Sequence, residues 1–279
     1  MAAQRQIGTI VFHVLVLGFG LLMLYPVFWL VSASLKPTTD IFTDSSLWPR
    51  TITFEHYSNG WYGLRNVQFG RFFINSMLLC IVAVVGVVLS SSMAAFAFAR
   101  ISFPLRGLFF ALMLGTIMLP GHVTLIPQYI MFHQLSWVDT YLPLTVPKFV
   151  GEAFYIFLMV QFIRGIPREL DESAKIDGCG WLMLYTRIIL PLSLPAMMTA
   201  AIFTFLGTWD DFFSQLIYLS DIKKFTVSLG LRLFLDSSGS SNWGAVFAMS
   251  VLSIIPSLII FFIGQKYFTQ GIATTGLKG

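Results

Sequence analysis

From Phe72 to Ala99 the chain reads FFINSMLLCIVAVVGVVLSSSMAAFAFA, without a single Asp, Glu, Lys or Arg. About 20 mostly apolar residues suffice for a helix to cross the hydrocarbon core of a bilayer, so this stretch predicts a membrane span. Five further segments qualify, at about 7–33, 107–131, 142–163, 192–219 and 243–266. The expected fold is therefore all-α and polytopic: six transmembrane helices in one membrane domain over 1–279, with no soluble domain between them. The first segment, from Ile7 to Val31, is longer than a signal-peptide core and lacks a clear small-residue cleavage site, so it reads as a retained helix. The region 107–163 has the least defined ends, because Pro120, Pro127, Pro143 and Pro147 interrupt it.

Composition agrees. Of 279 residues, 56% are hydrophobic and only 11% charged, with mean hydropathy +0.79, too few polar groups to solvate a globule of this size. The net charge of +4 is scattered over loops and forms no basic stripe, which argues against a nucleic-acid partner and is accounted for by anionic lipid. Cys80 and Cys179 show no disulfide or metal spacing, and neither do His13, His56, His122 and His133. No phosphate-binding Walker loop and no His-Glu-x-x-His helix occurs, so no catalytic residue, metal or cofactor is expected in this chain. The short 100–106 connection carries Arg100 and Arg106 while 132–141 carries no Lys or Arg; the positive-inside rule then places the N-terminus in the cytoplasm, and six spans return the C-terminus there.

The densest charge cluster is Arg164 to Trp181, RGIPRELDESAKIDGCGW. Pro167 suits the first turn of a helix, and Glu169, Asp171 and Glu172 sit at its positive N-terminal end. Gly178 can close that helix in a left-handed conformation, and Trp181 to Leu190 read as a second helix that stops near Pro191. Leu170 and Ala174, one turn apart, form a small apolar strip beside Arg168, Asp171, Glu172 and Lys175. On the residues alone two readings stand: an interfacial amphipathic helix that anchors the loop, or a knob that fills a groove on another protein.

Glu172-Ser-Ala-Lys-Ile-Asp-Gly178, followed by Arg187-Ile188, Pro191 and Pro195, resembles the Glu-Ala-Ala motif of binding-protein-dependent ABC importer permeases. Ser173 stands where that family usually has Ala, and Cys179 where it often has Ala; both are small. Arg71 to Ser76, Ala94 to Arg100, Phe103 to Arg106, Thr208 to Phe212 and Gln265 to Phe268 resemble the carbohydrate-uptake group of those permeases. The resemblance implies that 164–191 is a cytoplasmic coupling loop between helices 4 and 5. It would insert into a cleft on a separate ATPase, with Glu172 pairing with a basic residue there, Gly178 as the turn, and Leu170, Ser173, Ala174, Asp177 and Pro191 around the contact. The C-terminal segment 267–279 resembles the tail of the smaller maltose-type permease, which implies ATPase contacts for Gly276, Lys278 and Gly279. Also implied are a second permease, two ATPase subunits that carry ATP and Mg, an extracytoplasmic solute-binding protein, a bacterial inner-membrane location, and a sugar or related polar solute.

For solute passage the candidates are Asn75, Trp209 and Asp210. Trp209 could stack on a sugar face or simply anchor at the interface; Asn75 and Ser76 suit interhelical hydrogen bonds. Asp210 and Asp211 point about 100° apart on a helix, so they cannot both face one pore, and the family commonly has Asn at the position of Asp210. Lys148 and Glu152, four apart, read as a structural pair. The competing reading is an ion-gradient-driven transporter, which would place charges at mid-membrane and show repeat-related broken helices; the middles of the spans are nearly free of charge.

Overall fold

The computed structural model describes residues 2–64, 67–235 and 242–276, and all regular structure among them is helical. The helices are α1 (Ala2–Leu35), α2 (Glu55–Tyr62), α3 (Phe69–Arg100), α4 (Arg106–Ile117), α5 (Gly121–Gln134) and α6 (Leu142–Thr145). After a 3-10 turn at Val146–Val150 come α7 (Ala153–Gly165), α8 (Glu169–Ile176), α9 (Trp181–Leu192, with a π-helical turn at Leu184–Ile189) and α10 (Leu194–Asp210). The last are α11 (Phe213–Tyr218), α12 (Val227–Arg232) and α13 (Trp243–Gly276).

Four helical stretches are long and apolar enough to cross a membrane: Gly8–Leu35, Phe69–Arg100, Leu142–Gly165 and Trp243–Tyr267; α9 and α10 together make a fifth, bent by 74°. Two of the six expected spans therefore differ from their outline. The third, 107–131, is divided at Met118–Pro120 into α4 and α5, and the 12 residues of α4 reach only about 18 Å at 1.5 Å per residue. The fifth, 192–219, ends as one helix at Asp210 and resumes as the short α11. The bend at Ser193 has a local cause: Pro195 has no N–H for the carbonyl of Pro191, and its ring crowds that carbonyl. Pro26 and Pro256 lie inside α1 and α13, which run on through them.

The described residues group into two compact units, one drawn from 1–69 and 231–255, the other from 70–230 and 256–279. In the first, the apolar window of α1 buries nothing, as for a helix whose solvent is lipid on all sides. Below it the 36–57 segment is tied by polar groups. Lys36 is 1% exposed, and its Nζ donates to the carbonyls of Asp44 and Ser46 at 2.6 Å each; its own carbonyl is bonded by the His56 ring at 2.8 Å. Asn242 caps α13, its Oδ1 accepting from Ala245 N–H at 3.0 Å, and Trp243 packs edge-on against Phe42.

In the second unit α3 is amphipathic in the inverted sense. Its buried stripe, Phe72, Asn75, Ser76, Leu79, Ala83, Val87, Ser91, Ser92, Ala95 and Ala99, includes four polar side chains, while Ile74, Met77, Leu78, Ile81, Val85, Leu89 and Met93 face outward. Small residues on that stripe permit close approach: a Cβ at Gly86 would lie 2.9 Å from the Phe149 ring.

Asp139, in the 135–141 connection, holds the 218–224 segment. Its backbone is left-handed at φ 59°. Its Oδ1 accepts from the N–H of Ser220 and of Asp221 at 3.0 Å each, and Lys224 Nζ lies 2.7 Å from Oδ2 and 2.6 Å from its carbonyl. The bond from Lys224, then that from the Asp221 amide, holds its carboxyl down at about 2, below the ordinary 3.8. A carboxyl with a depressed pKa stabilises the fold above its unfolded value, so this contribution should be complete at neutral pH and fade as pH falls from 3.8 to about 2. Asp139→Asn should produce the same loosening at neutral pH, read as faster hydrogen exchange at the amides of Ser220 and Asp221 with α7 unaffected.

Candidate functional site

The loop between α7 and α10 is an exposed helix, a tight turn and a second helix. Pro167 sits just before α8, whose first turn carries Glu169, Asp171 and Glu172 and whose last carries Lys175, the charge order that complements a helix dipole. Cys179 N–H bonds the carbonyl of Ala174 at 2.9 Å and Gly178 N–H that of Lys175 at 3.0 Å, the paired bonds of a Schellman closure. That closure requires the left-handed residue, and Gly178 has φ 79°. Lys175 Nζ then lies 4.6 Å from the centre of the Trp181 ring, a cation–π contact across the turn.

The two faces of α8 divide the predicted residues. Asp171 and Ala174, three apart, are buried at 7% and 4% exposure, and Ala174 joins the core of Val87, Ala95, Ala99, Ile163 and Leu184. The apolar strip expected from Leu170 and Ala174 is thus split: Leu170 is exposed, Ala174 is not. Outward on α8 and its turn are Glu172, Ser173, Ile176, Asp177 and Gly178, and Pro191 is also exposed. Ile176 is 86% exposed, and Leu182 on α9 is likewise open; neither was singled out from the sequence, although two large apolar side chains flanking a polar turn were the available signal.

Asp171 meets Arg100, the last residue of α3. Arg100 Nε lies 3.1 Å from Asp171 Oδ2 with side chains 2% and 10% exposed, and Arg100 Nη2 donates to the carbonyl of Ile166 at 2.8 Å. Removing one partner of such a buried pair typically costs about 3–5 kcal/mol. On α9, Tyr185 shares a 2.7 Å hydrogen bond with Ser92 of α3 and packs on Phe96 at 5.2 Å. Both helices of the loop are therefore fastened to α3.

The candidates for solute passage fare differently. Trp209 is 3% exposed, stacked on Phe205 at 5.8 Å and against Phe73, so its ring is a core element with no free face. Asn75 is spent on structure: its Nδ2 donates to the carbonyls of Lys223 and Phe225 at 2.9 and 2.8 Å, and Ser76 Oγ accepts from Val227 N–H. Asp210 is exposed. Asp211 lies beside it, half-buried, capping α11 through Ser214 N–H at 3.0 Å, and it lines an open cleft of about 170 Å³ with Lys148, Glu152, Tyr155, Thr204, Thr208 and Gln215. Lys148 and Glu152 pair at 3.4 Å, across the break at Gly151 and not along one helix. Ionisable groups at this depth of a spanning segment are costly unless paired or facing a cavity; that signal was present in the sequence. Gly276 ends α13, which continues through most of the expected tail, and Lys278 and Gly279 lie outside the described residues.

Long apolar helices, α3 with polar residues on its buried stripe and apolar ones outward, and a charged helix–turn–helix fastened to it define an integral membrane protein. Residues 86–274 match the family of binding-protein-dependent transport system inner membrane components, and the chain belongs to that family. It is 33% identical over 91% of its length, and 84% of the relative's, to a Bacillus subtilis protein described as a probable ABC transporter permease. It is 32% identical over 99% of its length to the arabinooligosaccharides transport system permease protein of Halalkalibacterium halodurans, all of which is covered. To the sn-glycerol-3-phosphate transport system permease protein of Yersinia enterocolitica it is 32% identical over 98% of each chain. Its fold is that of a chain in the crystal structure of a bacterial ABC transporter involved in the import of the acidic polysaccharide alginate, with a TM-score of 0.83, 23% identity, and coverage of 94% of this chain and 97% of that one.

Nothing lies within 4 Å of a Cβ built at Gly178, so substitution there tests the backbone alone. Gly178→Ala should lower the free energy of local opening of α8 by about 1–2 kcal/mol, while Asn, which tolerates the left-handed region, should cost less. Hydrogen exchange at the amides of Asp177 to Cys179 measures both.

Proposed function

We propose that the chain is a transmembrane subunit of an ATP-driven importer, forming half of the translocation pathway for a sugar or oligosaccharide delivered by an extracytoplasmic binding protein. It has no ATPase site of its own and works with a second permease and two ATPase subunits that bind ATP and Mg, alternating between inward- and outward-open states. The termini and the 164–191 loop face the cytoplasm. The observation that carries the reading is the exposed α8 surface, where Glu172, Ser173, Ile176 and Asp177 stand clear around the Gly178 turn. A polar and apolar knob of this kind, pinned from behind, suits a groove on a partner protein better than a lipid surface.

Glu172→Lys should abolish co-purification of the ATPase with the chain while membrane insertion continues. An ATPase retained in full, or solute uptake that survives ATP depletion, would sink the proposal.

The cleft of Lys148, Glu152, Tyr155, Thr204, Thr208, Asp211 and Gln215 is the better candidate for solute contact, in place of Asn75 and Trp209. Hydroxyls beside an aromatic ring suit a polyhydroxylated ligand, while the Gln215 amide is held by Thr208 and Thr226 and backs the cleft. A second reading, an anionic polar solute, draws on the relative named for sn-glycerol-3-phosphate. With Lys148 matched by Glu152, Asp211 leaves the lining formally negative, which favours the neutral sugar. Gly207 lines the cleft with nothing within 4 Å of its Cβ position, and leucine is about 1 kcal/mol better than glycine inside a helix. Gly207→Leu should therefore leave assembly and stability intact yet depress uptake; unchanged uptake of a neutral arabinooligosaccharide would remove the cleft from the pathway.

A further inference from the structure

We infer that Arg100 is a positioning residue for transport, and that its pair with Asp171 is the link by which movement of the 164–191 loop is passed to α3. The inference rests on the importer reading above, in which that loop receives the ATPase.

Arg100 is the last residue of α3, the helix whose buried stripe lies in the core of the second unit. Its guanidinium holds two points of the loop, Ile166 just after α7 and Asp171 inside α8. Asp171 faces inward while Glu172 and Ser173 face out, so α8 offers one face to a partner and grips α3 with the other. Apolar contacts alone can slide past one another, because they are non-directional. A buried charge pair resists separation, since parting it strands two ions in a low-dielectric setting.

The pair is also not saturated. Among the described residues Asp171 Oδ1 has no hydrogen-bond partner, and Arg100 Nε meets Asp171 Oδ2 without hydrogen-bond alignment. A small rotation of α8 can therefore change how the carboxylate sits on the guanidinium without breaking the link. Tyr185, in the π-helical turn of α9, supplies a second fastening to Ser92, about two turns earlier on α3. A displaced loop that kept both fastenings must take the end of α3 with it.

The test uses the assembled importer in nanodiscs, with Cys80→Ala and Cys179→Ser removing the native thiols and Thr208→Cys reporting from the cleft. Maleimide labelling of that cysteine is compared with and without ATP plus vanadate, beside the amount of ATPase bound. With Arg100 and Asp171 intact, trapping should change the labelling rate about tenfold, within the range for coupled sites. Arg100→Gln and Asp171→Asn should each bind the ATPase at the unaltered ratio yet lose that response, and the exchange Arg100→Asp with Asp171→Arg should recover part of it. A response that persists in Arg100→Gln, or loss of the ATPase from that variant, would overturn the inference, the latter by making the pair a support for docking only. No ATPase on the unaltered chain would instead overturn the importer reading.

Discussion

A bilayer interior offers no water to a stray N–H, hydroxyl or carboxylate, so every polar group at that depth must find its partner within the protein or face a wet cavity. The second unit is organised by this requirement. Buried polar side chains along α3 are answered from within the protein: Asn75 by the carbonyls of Lys223 and Phe225, Ser91 by the N–H of Glu152, Ser92 by the hydroxyl of Tyr185. Lipid-facing positions are left to Ile, Leu, Val and Met. Such a helix is an axle for its unit, because each inward polar contact reaches a segment distant in sequence.

Those contacts sort into two ends. Toward its N-terminus α3 receives the 218–227 segment, itself secured by Asp139 and Lys224. At its C-terminus it receives the 164–191 loop through Arg100 and, about two turns earlier, through Ser92. Between them lies the cleft bounded by Lys148, Glu152 and Asp211. The helix is thus fastened at both ends, and its Leu79 reaches the lining of that cleft. Adjacent residues point about 100° apart on a helix, so Asp171 meets Arg100 while Glu172, one position on, is exposed.

Much of this was legible beforehand. The long apolar runs gave α1, α3 and α13, since length and lack of charge are properties of a segment by itself. The helix, Gly178 turn and second helix of the loop were legible because capping, dipole and left-handed glycine act within a few residues. Less legible was the region from Leu108 to Val150, where prolines supply breaks but not their outcome: Pro120 divides a span into α4 and α5, whereas Pro127 sits inside α5. Trp209 looked available for a ligand because an interfacial tryptophan and a buried one have the same sequence neighbours. Only its stacking with Phe205 and Phe73 distinguishes them.

By itself, then, the amino-acid order determined a chain for lipid surroundings, most of its long helices, and a charged helical hairpin with its turn at Gly178, all consequences of local composition and backbone preference. The tertiary structure alone decided which face of that hairpin is free. Asp171 and Ala174 are turned inward by Arg100 and the core around Ala99, partners far away in sequence. It also decided that Asp211 lines the cleft while Asn75 and Trp209 are used up in packing, because burial and pairing depend on what other segments bring to the same place.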